Sequence, residues 1–63
     1  MLLREVEKFL RAYDVPATRL GRRAVGDPAL VRDLRRGREP RAPLTARVRA
    51  FMADYAAEGS ADA

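Results

Sequence analysis

The fold class that this sequence predicts is all-α, a compact bundle of four helices with a helix-turn-helix at its centre. Three observations predict it. Apolar residues recur at spacings of three and four in four separate segments, and no segment alternates apolar and polar residues as a strand would. Helix breakers separate those segments at Asp14-Val15-Pro16, at Gly26-Asp27-Pro28 and between Gly37 and Pro43. A chain of 63 residues buries only about 60% of its unfolded surface, so it can build one small core and no second domain.

The first helix is expected over about 3 to 13, where Leu2, Leu3, Val6, Phe9, Leu10 and Tyr13 form one apolar stripe. A second is expected from 17 to about 25, with Leu20 and Ala24 inward and Arg19, Arg22 and Arg23 outward. Gly21 inside it costs about 1 kcal/mol relative to alanine, which reads as a packing device that lets the next helix approach closely. Gly26 is the expected left-handed stop. Asp27 then offers a capping carboxylate and Pro28 suits a first helical position, so a third helix is expected over 28–36 with Val31 and Leu34 inward and Leu30 half-buried. Pro40 and Pro43 make 37–43 a connector, and Leu44, Val48, Phe51, Met52 and Tyr55 mark a fourth helix fading near Ala57. The division expected is a helical domain over 1–57 and a disordered tail over 58–63.

Charge is unevenly placed. Residues 1–14 balance three cations against three acids, residues 15–50 hold ten arginines against Asp27, Asp33 and Glu39, and residues 51–63 hold only acids. A cationic block of that kind is the footprint of a phosphate-binding surface. The chain has no Cys and no His, which removes disulfide, zinc, iron-sulfur and thiol chemistry, so no metal and no cofactor is expected. No stretch approaches the roughly 18 apolar residues of a membrane span, and no leader or anchor is visible, so a cytoplasmic protein without membrane contact is expected. Nor is an enzyme expected, or a small-molecule substrate. Ser60 is the one serine, and no pair of carboxylates shares an inward face. Pro40-Arg41-Ala42-Pro43 fits a turn before the fourth helix better than a polyproline ligand. Phe9, Tyr13, Phe51 and Tyr55 lie on apolar stripes and read as core, not as base-stacking platforms.

Leu20-Gly21, Ala24, a glycine near the turn, Val31 and Leu34 follow the spacing of the twenty-residue helix-turn-helix frame, with amphipathic helices on either side. Over roughly residues 3–56 the chain resembles the DNA-binding domain of the lambda-repressor and Cro-like family of phage and bacterial regulators. Two positions depart from that family's pattern. Val25 precedes Gly26, reversing the usual order at the turn, and Ala17 with Thr18 beside it stands where a phosphate-contacting glutamine is common.

The resemblance implies a lambda-repressor-like fold and a small sequence-specific protein for double-stranded DNA, a phage-like or bacterial transcriptional regulator that is nucleoid-associated. The 28–36 helix would read the major groove. Its implied base-reading residues are Ala29, Arg32, Asp33 and Arg36, with Arg32 foremost, because arginine pairs with both acceptors on a guanine edge. Asp33 would either accept from a cytosine amino group or hold Arg36 one turn on. Thr18, Arg19, Arg22, Arg23, Arg38 and Arg41 would bind backbone phosphates and position the reading helix. Arg47 lies on the fourth helix with Arg49, whose stem could lean over the apolar stripe. A homodimer is expected on functional grounds, through the fourth helix at Met52, Tyr55 and Ala56 or through the first. The alternative is a protein-interaction module of the same fold, its arginine face binding an acidic partner such as a transcription-machinery subunit.

Overall fold

The computed structural model describes residues 1–58 with their side chains, and its last helix is bounded at Asp62. Four helices follow one another: α1 Leu2–Tyr13, α2 Ala17–Val25, α3 Leu30–Arg35 and α4 Ala42–Asp62, with no strand among the described residues. This is the strand-free, four-helix architecture that the apolar spacing predicts. The tail expected over 58–63 falls, apart from Glu58, outside the described residues.

α1 buries Leu2, Val6, Phe9 and Leu10 on one face. It ends where Asp14 turns left-handed at φ 53° and the Val15 N–H donates back to the Leu10 carbonyl at 3.1 Å. That reversal returns Val15 to the core, 6% exposed. Tyr13, expected in the core, stays 38% exposed at the rim, its ring 4.9 Å from Phe9 and 5.5 Å from Tyr55.

α2 starts without a side-chain cap, because Pro16 is its N-cap; the Pro16 carbonyl accepts from the Arg19 and Leu20 N–H groups. Gly26 ends it at φ 72°, donating to the Arg22 carbonyl at 2.9 Å, while the Asp27 N–H reaches back to the Gly21 carbonyl at 3.0 Å. A side chain at Gly21 would overlap the Asp27 carbonyl oxygen and meet Leu30 Cβ at 3.1 Å. The close approach read from this glycine is therefore observed, and it fixes how the turn lies on α2.

The third helix is shorter than the expected 28–36. Asp27 Oδ1 accepts the Ala29 N–H at 2.9 Å and the Asp27 carbonyl accepts the Leu30 N–H at 3.1 Å, folding Pro28 and Ala29 into a tight turn. The first helical residue is then Leu30. Leu30 is also fully buried rather than half-buried, since this turn draws it against Gly21. After Arg36 the chain leaves through Gly37, as the glycine there predicts.

α4 begins at Ala42, inside the stretch expected to be connector, with Pro43 in its first turn, where a missing N–H breaks no helical bond. It remains helical past Ala57. Val48 and Met52 face the core. α2 packs on α3 and α4, and α1 on α3. Phe9 closes the α1–α4 seam against Phe51 and Tyr55, with ring centroids at 6.3 and 5.3 Å. Every buried side chain described is apolar, so each charge in the block lies outside the core.

Candidate nucleic-acid interface

The α2–turn–α3 segment carries most of the cationic block. On α2, Thr18, Arg19, Arg22 and Arg23 are exposed and, with Pro16, line one shallow concavity that has no acidic residue in its wall. Arg22 and Arg23 follow Arg19 by three and four residues, so both lie next to it on the helix surface, away from the buried Leu20 and Ala24. None forms an ion pair among the described residues. Arginyl and hydroxyl side chains along one convex helix suit repeated phosphate oxygens, not a single enclosed ligand.

α3 separates its charged side chains into two kinds. Arg32 and Arg36 are exposed, without ion-pair partners among the described residues. Arg35, which the sequence does not single out, turns instead to α1, where its Nε and Nη2 each donate to a Glu7 carboxylate oxygen at 2.7 Å. Asp33 is half-buried and does not hold Arg36. Its Oδ2 lies 3.5 Å from Arg38 Nη1, because the Gly37 turn carries Arg38 back over the helix. Ala29 is half-buried in the turn before α3, not on a helical outer face. Of the four residues expected to read bases, Arg32 and Arg36 are therefore unengaged among the described residues and together, while Ala29 and Asp33 are drawn into the turn and its bridge.

Arg38, expected on a phosphate, bridges two carboxylates instead. Its Nη1 is 3.4 Å from Asp27 Oδ2 and 3.5 Å from Asp33 Oδ2. Asp27 thus braces the turn twice, through the Ala29 N–H and through Arg38. Arg41 is exposed and lines a second groove with Arg47, Val25 and Leu44, where the end of α2 meets the start of α4. Arg49 lines a shallow concavity beside Phe9, Tyr13 and Met52, and its Nε and Nη2 donate to Glu5 at 3.1 and 2.8 Å.

Hydrogen bonds from Arg49 hold the Glu5 carboxyl below its ordinary value, and those from Arg35 do the same for Glu7; desolvation opposes both, and the guanidinium charges add a smaller lowering. The two arginines are raised in return. At neutral pH these pairs are fully ionised, so they act as staples from α1 to α3 and α4. Sequence reasoning missed Arg35 and the bridging role of Arg38. Neither could be found by helix spacing, since Glu7 and Arg35 lie 28 residues apart and Arg38 reaches Asp27, 11 residues away, only through the Gly37 turn.

At the face expected to form a dimer, Met52 is buried at 9% exposure, whereas Tyr55 and Ala56 are half-buried. Met52 belongs to the core cluster with Val48 and Phe9, which withdraws it from that surface. Among the described residues no group of three or more acidic side chains could hold a metal, and no helix is long and apolar enough to cross a membrane. Compared with known proteins, the chain matches no family model, no curated protein and no solved structure.

Proposed function

We propose that this chain is a small sequence-specific binder of double-stranded DNA, a bacterial or phage-like transcriptional regulator with a lambda-repressor-like helix-turn-helix, working at the nucleoid in the cytoplasm. One observation carries the reading. Arg19, Arg22 and Arg23 on α2, Arg32 on α3 and Arg36 at its C-terminal cap are exposed and, among the described residues, unpaired, and the two helices are joined by a turn that Gly21, Gly26 and Asp27 hold in a fixed shape. Arg35, Arg38 and Arg49, by contrast, are paired with carboxylates. In this reading α2 lies across the phosphate backbone, α3 faces the major groove, and Arg41 with Arg47 reaches a flanking phosphate.

A single module of this size covers roughly 600–1,000 Å² in a duplex interface, and a homodimer on a two-fold site would double that area. Selection of duplexes from a random pool by the purified protein, read by fluorescence anisotropy at two salt concentrations, tests the proposal. Enrichment of a consensus supports it. Absence of enrichment with negligible binding at physiological salt removes it and turns the search to an acidic protein partner for the same face.

A further inference from the structure

We infer that the outward face of α1 is a second phosphate-binding surface, so that one molecule holds two duplex segments at once, one against α2 and α3 and the other against α1; the inference rests on the duplex-reading proposal above and deepens it. By composition the first fourteen residues are neutral, with Arg4, Lys8 and Arg11 set against Glu5, Glu7 and Asp14. Packing undoes that balance. Glu5 is turned to Arg49 of α4 and Glu7 to Arg35 of α3, each by two hydrogen bonds of 3.1 Å or less, and Asp14 lies past the last helical residue. Arg4, Lys8 and Arg11 are left exposed, with no salt bridge among the described residues. Set four and then three residues apart, they form one row opposite the buried Val6 and Leu10, its ends about 10 Å apart along the helix.

This row is separate from the arginines of α2. α2 packs on α3 and α4, and α1 packs on α3 and, through Phe9, on α4, so α3 and α4 stand between α1 and α2. Val6 and Leu10 from α1 enter the same core cluster as Leu20 and Ala24 from α2, and the two cationic faces point away from that core on different sides. A body 20 Å through its short axes keeps two duplexes more than two Debye lengths apart at physiological salt, where that length is about 8 Å, so their repulsion is screened. The row suits a phosphate backbone, since its side chains offer only donors and positive charge. It lacks the apolar centre that a protein interface buries: Met1 and Tyr13, the exposed large hydrophobics among the described residues, stand at its two ends. Nor does it suit a lipid surface, because the apolar stripe of α1 is already committed to the core.

The test uses two short duplexes of one sequence, the first immobilised on beads and the second fluorescent, with the purified protein as the only link between them. Wild type is expected to capture the fluorescent duplex, and sedimentation with duplex in excess should find two duplexes on one protein chain. Arg4→Gln/Lys8→Gln/Arg11→Gln should lower capture about 10-fold or more and leave one duplex per chain, while its affinity for a first duplex stays within about 2-fold of wild type. Arg4→Lys/Arg11→Lys, which keeps the charge and loses the fork, should retain capture, because phosphates are held here by charge. These side chains are exposed and hold no salt bridge among the described residues, so the circular dichroism of both variants should match wild type. One duplex per wild-type chain overturns the inference and leaves duplex reading standing. Capture that survives the triple substitution also overturns it, since paired copies holding one duplex each would then be the link. Loss of first-duplex affinity in that variant overturns it too, by making α1 part of one continuous surface. Failure of wild type to bind any duplex removes duplex reading and the inference with it.

Discussion

At Gly21 a single methyl group would disturb two helices, because the added carbon would overlap the Asp27 carbonyl oxygen and crowd Leu30. Alanine gains about 1 kcal/mol over glycine inside a helix, but a backbone oxygen that must move costs more. Gly21→Ala is therefore expected to destabilise the fold by about 2 kcal/mol in urea denaturation. Gly26 has open space around it and differs only in its φ of 72°, so Gly26→Ala should cost about 1 kcal/mol. A stabilising Gly21→Ala, or a larger loss at Gly26, would contradict this packing. The role of Gly21 was legible in the sequence, since a glycine in mid-helix needs a reason. The burial of Leu30 was not legible, because it follows from the turn ahead of α3 and not from helix periodicity. Leu30→Ala should lose about 2–5 kcal/mol, as a fully buried leucine does and a half-buried one does not.

Among the elements, α2 matches the residues expected of it and α1 gains one residue at its start, since breakers and apolar stripes mark both ends of each. α3 begins two residues late because Pro28 and Ala29 are held in a tight turn, in which the Asp27 carboxylate and carbonyl accept from the N–H groups of Ala29 and Leu30. Asp27→Ala should remove the side-chain bond to the Ala29 N–H that closes this turn and cost about 1 kcal/mol, with the loss of amide protection concentrated in α3. α1 is fastened to its neighbours by ion pairs whose carboxyls lie below their ordinary 4.5 when folded. The stability they contribute is fully present above the unfolded value and is lost as the pH falls through the lowered folded values. The melting temperature should accordingly drop on acidification below about pH 4.5, and the Glu5→Gln/Glu7→Gln double variant should show a shallower drop. An identical pH profile for both proteins would exclude these pairs as contributors. These staples could not be read from local sequence, because they join residues that only the packing of α1 on α3 and α4 brings together.

Over the whole molecule, the cationic block was legible as composition, but the division of labour within it required the fold. Of the ten arginines between residues 15 and 50, Arg35, Arg38 and Arg49 serve the structure, while those on α2 and at Arg32, Arg36, Arg41 and Arg47 stay on the outside with no ion pair among the described residues. Arg38 shows why: its charge and its place after α3 suggested a phosphate partner, and the Gly37 turn delivers it to Asp27 and Asp33 instead. Arg38→Gln is therefore expected to lower stability without lowering the number of phosphates neutralised. The most direct test of the central claim is the salt dependence of duplex binding for wild type and for the Arg19→Gln/Arg22→Gln/Arg23→Gln variant. Log affinity should fall linearly with log salt, by about 0.9 per neutralised phosphate, and the variant's slope should be shallower by roughly 0.9 for each phosphate it no longer neutralises. A slope unchanged by the three substitutions, or no measurable binding to duplex at physiological salt, would contradict the claim that the α2–α3 face is a nucleic-acid surface.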